Sequence, residues 1–438
     1  MKKVLIITYY WPPAGGGGVQ RWLKFVKYLR DFGWEPIVFT PENPEAPVQD
    51  DSLLKEIPGG ITVLRTKIWE PYQWYKKFTG RNKTDQVQTA FLTEKKKPGI
   101  TEKISVWIRG NLFIPDARKF WIKPAVKYLH PWLAAHPVEL IVSTGPPHSS
   151  HLIAKQLKQK THLPWLADFR DPWTNIDYYN DLRLTRRADR KHRKLEKSVL
   201  QTADAVTVIS SGMMQDFSRI HHRTYHLITN GFDPDDFSQS PGRPPADKFR
   251  LSHIGSLVKT RNPLLMWEVL KELVDEQPSF GRLLEVNLTG TVDLTVRQSI
   301  RDNGLEAYVQ YDAYRPHKEL GVAYSQAAVL LLLINDTPNA GLILTGKFFE
   351  YMAAQRPILC IGPTDGDAAR ILKETQTGYA FGFEEREKLK MKIKELFTDF
   401  QKGDLRLSPK GIEAYSRQNL TRKLAQLMDK MTERKSND

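Results

Sequence analysis

Four consecutive glycines join a predicted strand to a predicted helix in VLIITYYWPPAGGGGVQRWLKFVKYLRDF, residues 4–32. Residues 4–10 are apolar, β-branched or aromatic, which is typical of a buried strand. Residues 20–32 have helical spacing, with one apolar stripe formed by Trp22, Phe25, Val26 and Leu29. A strand that leads directly into a helix is the repeating unit of parallel α/β sheets, and it sets the fold class expected for the chain.

The glycine loop consists of Gly15, Gly16, Gly17 and Gly18. Because glycine has no Cβ, such a loop turns sharply and lets a ligand lie on the backbone amides that open the helix. A tight strand-to-helix turn is the alternative, although one or two glycines suffice for it. The loop is neither a P-loop nor a dinucleotide fingerprint, because the residues after it fit neither motif. Its composition favours ligand contact.

Strand and helix patterns alternate along the whole chain. In the first half, further strand-like runs lie at 36–40, 62–65, 140–143, 165–168 and 205–210. After the sequence Asn-Gly-Phe-Asp-Pro at 230–234, residues 238–247 have the polar, proline-rich composition of a linker. The alternation then restarts, with runs at 249–254, 285–289, 308–311, 329–334 and 357–361. This pattern predicts an α/β protein of two doubly wound Rossmann-like domains facing a cleft, with ligands at the carboxyl ends of the strands.

The expected domain boundaries follow from the linker. We expect an N-terminal domain over residues 1–237, with an insertion at about 67–110, and a C-terminal domain over residues 248–410. A helix within residues 411–438 is expected to pack back on the N-terminal domain.

The net charge and the cysteine content limit the partners and the cellular compartment that we expect for the chain. The chain has 438 residues and a formal net charge of +15, which suggests a polyanionic partner, an anionic membrane surface or diphosphate substrates. Its one cysteine, Cys360, lies in an apolar run and favours a core position in a reducing cytoplasm. The N-terminal apolar run is interrupted too early for a signal peptide, and the longest apolar run, 327–334, is too short to span a bilayer.

Two stretches do not follow the alternation. Residues 67–110 mix aromatic side chains with lysines, which suits a membrane interface at the inner face or a solvated insertion with a small core of its own. Residues 183–197 concentrate Arg186, Arg187, Arg190, Lys191, Arg193 and Lys194 on a predicted helix, and such a run is usually a solvated face. A nucleic-acid-binding protein is an alternative from another class, but no RNA- or DNA-reading motif accompanies the charge.

Polar side chains follow several of the predicted strands. His148 lies in a loop that opens a helix, where the helix dipole favours the neutral imidazole; an exposed or capping histidine is the alternative. Asp168, Arg170 and Asp171 follow the next strand, either as ligands of a polar acceptor or as a structural network of mutually neutralising charges.

The second half has two such loops. The first contains Ser256, Lys259 and Arg261, and arginine recognises phosphate oxygens in a bidentate manner. The second contains Thr345, Gly346, Lys347 and Glu350. A helix N-terminus beside a lysine can hold a diphosphate, and a glutamate one turn later can accept hydrogen bonds from ribose hydroxyls.

Over nearly its whole length the chain resembles the retaining glycosyltransferases of family 4, which have the GT-B fold. The resemblance is carried by the glycine loop, the Asn-Gly-Phe-Asp-Pro and His-Ile-Gly segments, and above all by Thr-Gly-Lys-Phe-Phe-Glu-Tyr-Met-Ala-Ala at 345–354. It implies that Gly15 to Gly18 shape the acceptor and phosphate side of the cleft and that His148 contacts the transferred sugar. Arg261, residues 345–347 and Glu350 would bind the donor diphosphate and ribose.

The chain departs from the family pattern at three positions. Leu342 occupies the place of the first glutamate of the Glu-x7-Glu motif, Ser256 replaces an arginine, and Arg261 replaces the usual lysine. Loss of the glutamate affects the half of the donor pocket that holds the sugar.

The resemblance implies sugar transfer from a nucleotide diphosphate donor to a saccharide or lipid-linked acceptor, with retention of configuration and without a metal or other cofactor. The setting implied is cell-surface polysaccharide or glycolipid biosynthesis, with no role for nucleic acid. A nucleotide-sugar epimerase on the same fold is the nearest alternative, and a noncatalytic membrane scaffold is another.

Overall fold

The computed structural model describes residues 1–46, 48–70, 100–237, 245–313, 315, 319–405 and 407–436. The described residues of Met1–Gln88, Pro98–Thr229 and Arg417–Asp438 form one compact unit, which we call unit 1. Those of Asn230–Ser416 form a second, unit 2. The boundary lies at the start of the Asn-Gly-Phe-Asp-Pro sequence, and residues 238–244 of the expected linker lie outside the described residues.

Unit 1 is built on a parallel sheet with the strand order β3-β2-β1-β4-β5-β6-β7. Its strands are β1 (Lys2–Ile7), β2 (Trp34–Pro41), β3 (Thr62–Thr66), β4 (Leu140–Gly145), β5 (Trp165–Phe169), β6 (Ala205–Val208) and β7 (His226–Leu227). The order changes direction between β1 and β4, so the loops that follow these two strands lie at the switch point of the sheet, where doubly wound folds bind ligands.

Helices cover both faces of this sheet. They are α1 (Gly17–Leu29), α2 (Ile100–Leu112), α3 (Ile122–Ala135), α4 (Ser149–Thr161), α5 (Arg186–Thr202) and α6 (Ser211–Ile220). Residues 4–7 of β1 are all apolar because both faces of the sheet are covered here: Val4 and Ile6 belong to the core on one face, and Leu5 and Ile7 belong to the core on the other. A strand that is buried on both faces has no position for a polar side chain.

Unit 2 repeats this plan with the strand order β10-β9-β8-β11-β12-β13, again parallel. Its strands are β8 (Phe249–Ile254), β9 (Leu284–Thr289), β10 (Val309–Asp312), β11 (Val329–Leu333), β12 (Ile358–Ile361) and β13 (Gly378–Phe381). The switch point lies between β8 and β11. The helices are α7 (Leu264–Glu276), α8 (Pro278–Leu283), α9 (Leu294–Asp302), α10 (Leu320–Gln326), α11 (Gly346–Ala353), α12 (Asp367–Thr375) and α13 (Arg386–Gln401).

The chain returns to unit 1 through its last helix, α14 (Arg417–Ser436). Leu420, Leu424 and Met428 of this helix are buried in the same core as Trp22 of α1. The Lys2 ammonium also pairs with Asp429 at 2.8 Å. The C-terminal helix therefore covers the face of the unit 1 sheet to which α1 belongs.

The predicted fold class is confirmed, since both units are doubly wound parallel sheets. Strands β7 and β13 were not predicted: β7 has two residues, and β13 is an edge strand that carries the half-exposed Tyr379. Cys360 is buried in β12, as expected. Within the described residues, every helix is too short or too polar to cross a bilayer.

Candidate active site

The glycine loop of unit 1 has the conformation that only glycine adopts readily. Gly16, which precedes α1, has φ +88°, and a Cβ on Gly15 would lie 3.1 Å from the Asp50 side chain. The Gly15 amide donates to the Val48 carbonyl at 2.8 Å, which holds the loop in place. No side chain caps α1 and its first turn carries no acidic residue, so the first amides of the helix are open to a ligand.

Asp168 lies at the end of β5 and is 1% exposed. Its carboxylate accepts hydrogen bonds from the Arg21 guanidinium (3.1 and 2.8 Å), Trp22 Nε1 (2.8 Å), Thr144 Oγ1 (3.0 Å) and Thr207 Oγ1 (2.8 Å). Burial by itself raises the pKa of this carboxyl, but the Arg21 charge and these hydrogen bonds together lower it to about 2. Of the two interpretations open for Asp168, the structure therefore supports the internal network and not contact with a polar acceptor.

Arg170 connects two loops of the switch point. Its Nη1 donates to the Gly18 carbonyl at 2.7 Å, and its Nη2 donates to the Pro146 carbonyl. A Cβ on Gly18 would approach this guanidinium to 2.9 Å. Arg170 thus fixes the glycine loop against the loop that contains His148, which is a positioning role.

His148 is at the N-cap position of α4, and its ring is stacked on the Trp173 indole at a centroid distance of 4.5 Å. Burial, with smaller effects from His151, His192 and Arg170, lowers its pKa well below the ordinary value. The imidazole is therefore neutral at pH 7. Its Nδ1 is buried and has no hydrogen-bond partner among the described residues.

Asp171 follows Arg170 and is half-buried. Burial raises its pKa to about 6, although the Arg170 charge opposes this shift. Asp171 is thus a carboxyl that exchanges a proton near neutral pH at the carboxyl end of β5, beside the loop of His148. This is a property that acid-base groups in active sites share.

In unit 2, the loop after β8 brings Gly255 against Lys347. Gly255 has φ +140°, and a Cβ built on it would overlap the Lys347 ammonium. Gly290, with φ +112°, packs on the Gly255 main chain, and a Cβ built on it would lie 2.9 Å from the Gly255 carbonyl oxygen. Burial lowers the pKa of Lys347 to about 8; Arg261 adds to this shift and Glu350 opposes it. The Lys347 ammonium can lie here only because Gly255 has no side chain.

Arg261 ends a 3₁₀ turn, Lys259–Arg261, that follows the same loop. Its Nε donates to Asn335 Oδ1 at 2.8 Å, and its Nη1 donates to the Ser256 carbonyl at 3.2 Å. Asn335 is buried two residues after the end of β11 and so fixes the guanidinium from the other side of the switch point. The side chains of Ser256 and Lys259 are exposed to solvent.

Helix α11 begins at this place. Its N-cap residue, Thr345, makes no side-chain capping bond, and the first turn carries no acidic residue. The amides of Gly346 and Lys347 therefore lack a partner within the helix and are open to an anion. One turn later, Glu350 accepts a hydrogen bond from the hydroxyl of Tyr324, which is buried.

Leu342 lies in a 3₁₀ turn, Ala340–Leu342, and is half-buried. The position that carries a glutamate in the family motif thus presents an aliphatic side chain.

Within each unit, the structure brings the predicted residues together. In unit 1, Arg170 contacts the glycine loop and the His148 loop; in unit 2, Lys347 lies near Gly255, Arg261 and Glu350. Sequence reasoning missed three residues that hold these groups: Arg21, Asn335 and Tyr324. Asn335 could have been predicted from the sequence, because it is the polar residue that directly follows the apolar run 329–334. Among the described residues, no three His, Cys, Asp or Glu side chains converge as metal ligands would.

Residues 16–231 match the family model of the glycosyl transferase 4-like domain, which covers nearly all of the continuous part of unit 1. No curated protein matches the sequence significantly.

Solved structures resemble the whole chain. Sucrose-phosphate synthase from Thermosynechococcus elongatus has a TM-score of 0.58 at 15% identity, over 100% of this chain and 98% of its own. HepE from Anabaena, solved in complex with UDP-glucose, has a TM-score of 0.57 at 14% identity, over 100% and 99%. WaaG, a glycosyltransferase involved in lipopolysaccharide biosynthesis, has a TM-score of 0.58 at 13% identity, over 97% and 99%.

These likenesses establish the fold, and the family match identifies the N-terminal half as a glycosyl transferase 4-like domain. Both agree with the doubly wound sheets and with the open helix N-termini at their switch points. Residues 16–231 are therefore a glycosyl transferase 4-like domain, and the chain as a whole has the two-domain GT-B fold of the glycosyltransferase structures that it resembles.

Proposed function

We propose that the chain transfers a hexose-like sugar from a nucleoside diphosphate donor to an acceptor hydroxyl, with retention of anomeric configuration. The observation that carries this proposal is the arrangement in unit 2 of Arg261, Lys347 and the open N-terminus of α11, with Glu350 one turn later. Two cations and two free amides match a diphosphate, and a carboxylate at that distance matches ribose hydroxyls. HepE, which has the same fold, was solved with UDP-glucose.

The reaction breaks the bond between the anomeric carbon and the diphosphate oxygen and forms a bond from the acceptor oxygen to the same carbon. For retention we propose attack from the face that the diphosphate leaves, with the acceptor proton passing to a diphosphate oxygen. Arg261 and Lys347 stabilise the negative charge that develops on the leaving group, an effect that needs no metal ion or other cofactor. His148, neutral and with Nδ1 unpartnered among the described residues, is proposed to orient the sugar.

The acceptor is proposed to be a saccharide or a lipid-linked saccharide in the biosynthesis of a cell-surface polysaccharide or glycolipid. The printed role of WaaG in lipopolysaccharide biosynthesis supports this setting. Such an enzyme works in the cytoplasm, or peripherally at the inner face of the membrane, where the nucleotide sugars are made.

A screen of nucleotide sugars tests the proposal without knowledge of the acceptor. The purified chain should hydrolyse one donor slowly, releasing the nucleoside diphosphate, and should do so in the presence of EDTA. Proton NMR of the released sugar, before mutarotation, reports the anomeric configuration. Conversion of the donor to its epimer without release of the nucleotide would instead identify an epimerase, and no turnover or binding of any donor would contradict the proposal.

A further inference from the structure

The indole of Trp173 contacts two histidines of unit 1. Its ring is stacked on the His148 imidazole, with a centroid distance of 4.5 Å and an angle of 1° between the planes. Its Nε1 donates a hydrogen bond to Nδ1 of His192, a residue of α5, at 3.1 Å. All three side chains are buried, with 7% exposure or less. The orientation of the His148 ring therefore depends on what holds the Trp173 indole.

Helix α5 also holds the main chain at Trp173, through Glu196. This buried carboxylate accepts hydrogen bonds from the amides of Trp173 and Thr174, at 3.1 and 3.3 Å, and from the Thr174 hydroxyl, at 2.5 Å. His192 and Glu196 are one helical turn apart and lie on the buried side of α5, whereas its basic residues at 186, 187, 190, 191, 193 and 194 are exposed. The helix that resembles a solvated face in sequence thus has a second, internal role.

The hydrogen bonds of His192 require a neutral ring in one tautomer. An indole Nε1 can only donate, so His192 Nδ1 must accept. The ring proton is then on Nε2, which lies 3.3 Å from the Gly110 carbonyl of α2. An imidazolium carries protons on both nitrogens and would place an N–H against the N–H of Trp173. Protonation of His192 therefore breaks its contact with Trp173.

Helix α2 is the last part of the aromatic and basic stretch at 67–110. Residues 71–99 of that stretch, which include Trp74, Tyr75, Lys76, Lys77 and Lys95 to Lys97, lie outside the described residues. The described end of α2 is fixed against the start of α5, because Asn111 Oδ1 accepts from the Thr185 amide at 2.7 Å. The carbonyl that partners His192 therefore belongs to a helix that contacts α5 at a second point.

The surroundings of His192 favour its neutral form. Burial has the largest effect and lowers the pKa of the imidazole below its ordinary value, and Lys191 acts in the same direction. The Gly110 carbonyl and the carboxylates of Asp116 and Asp189 oppose this shift without cancelling it. The titratable groups around the ring are Asp116, His148, Tyr179, Asp189, Lys191 and Glu196.

We propose that Trp173 and His192 are positioning residues for His148: neutral His192 holds the indole against the His148 ring, and protonation of His192 removes this support. Arg170 already holds the main chain of the His148 loop at the Pro146 carbonyl, so the stacked indole is what sets the plane of the imidazole. The inference rests on the proposed function in one respect, namely that His148 orients the transferred sugar.

NMR of the full chain tests these contacts without any substrate. The spectra of Trp173→Phe and His148→Asn identify the indole signal of Trp173 and the ring signal of His148 in chains labelled at tryptophan and histidine. At pH 7, His192→Ala should shift both signals, the second through the changed ring current of the indole. Below about pH 6.5 the wild-type indole signal should move as His192 takes up a proton.

His192→Asn is the informative variant, because its Oδ1 replaces Nδ1 as the acceptor and does not titrate. It should keep both signals near their wild-type positions and remove most of the pH-dependent shift of the indole. His222→Asn is the matched control: it makes the same substitution at an exposed histidine of unit 1 and should change neither signal. A Trp173 signal that is the same in His192→Ala and in the wild type would overturn the inference.

The rate of donor hydrolysis, with the nucleotide sugar found in the screen, tests the effect on the site. His192→Ala and Trp173→Leu should lower kcat on the order of 10-fold to 100-fold, while affinity for the released nucleoside diphosphate stays unchanged. His192→Asn should recover most of the rate at pH 7 and lose less of it on acidification than the wild type does. The comparison with the wild type is needed because Asp171, with a pKa of about 6, also titrates in this range.

The two measurements separate this inference from the proposed function. A wild-type rate in His192→Ala, although the Trp173 signal has moved, would show that the contact does not position His148 and would overturn the inference. No turnover of any donor, with the NMR shifts as expected, would contradict the proposed function and still support the link from His192 to His148.

Discussion

Arg21 and Asp168 form an ion pair inside unit 1, with Nη2 and Oδ1 2.8 Å apart and each side chain 1% exposed. The same guanidinium donates to the carbonyls of Ile228 and Thr229, at 2.8 and 2.6 Å. The pair therefore joins the first helix to the end of β5 and to the last residues before the chain enters unit 2. The glycine loop leads into the helix that carries Arg21, so this pair holds the helix that follows the loop.

We expect Asp168→Asn to lower the free energy of unfolding by about 3–5 kcal/mol at pH 7, because it leaves the Arg21 charge buried and uncompensated. Urea unfolding followed by tryptophan fluorescence measures the change. Asp189→Asn is the matched control, since it removes a carboxylate from a partly exposed pair with Arg193 and should cost less than about 1 kcal/mol. Equal effects of the two variants would contradict a special role for the buried pair.

The same pair predicts a pH dependence. The pKa of Asp168 is lowered to about 2 in the folded chain, compared with about 3.9 in an unfolded peptide. A carboxyl with a depressed pKa stabilises the fold above its unfolded pKa, and the contribution is lost as pH falls through the folded value. The difference between wild type and Asp168→Asn should thus be largest above about pH 4 and shrink toward pH 2. A difference that stays constant over this window would show that the charge is not its source.

Glu350→Ala should weaken binding of the nucleoside diphosphate by about 1.5–3 kcal/mol, because a charged acceptor for ribose hydroxyls is removed. Calorimetric titration gives the value. Tyr324→Phe removes only the hydroxyl that donates to Glu350, so a loss of about 0.5–1.5 kcal/mol is expected for this control. Unchanged affinity in Glu350→Ala would place the ribose elsewhere.

Arg261→Ala should reduce turnover far more than stability. A cation beside the leaving diphosphate binds more strongly as charge develops, so we expect a loss in kcat of about 10²–10³-fold. Asn335→Ala is the informative control, because it breaks the same 2.8 Å hydrogen bond and keeps the guanidinium. If the two variants lose the same activity and the same few degrees in Tm, Arg261 acts only through structure.

Donor affinity should fall as pH rises from 7 to 9. The pKa of Lys347 is lowered to about 8, so most of the ammonium present at pH 7 is deprotonated at pH 9, and the affinity should drop by up to about tenfold. Bound diphosphate favours the charged amine, which moves the transition to higher pH in the complex. Lys347→Arg stays charged throughout and should flatten the profile. An equally steep profile in that variant would assign the pH dependence to another group.

Much of the fold could be predicted because its signals are local. The apolar runs that became β4, β5, β8 and β11 each carry their own evidence of burial on both faces, and the polar residue after each run marks a carboxyl end. His148 and Arg261 were predicted as site residues in this way. Lys347 and Glu350 were predicted from an open helix start and the spacing of one turn.

The contacts that hold these residues were not predictable, since they join distant parts of the chain. Arg21 and Asp168 are 147 positions apart, and Arg261 and Asn335 are 74 apart. Nothing in the residues around Arg21 distinguishes it from a surface arginine on a helix. Only the packing of α1 against β5 removes water from both charges and makes them depend on each other.

The sequence by itself determined that this chain forms two parallel sheets with polar loops at their carboxyl ends, because consecutive apolar residues indicate a strand that is buried on both faces. The tertiary structure alone decided which polar groups became internal and which stayed open. Asp168, Arg170 and Asp171 all lie at the carboxyl end of β5. Five hydrogen-bond donors nevertheless enclose the Asp168 carboxylate, and two backbone carbonyls hold the Arg170 guanidinium. The placement of basic α5 beside the exposed side chains of α2 was decided in the same way, because solvent exposure and charge proximity depend on how elements pack.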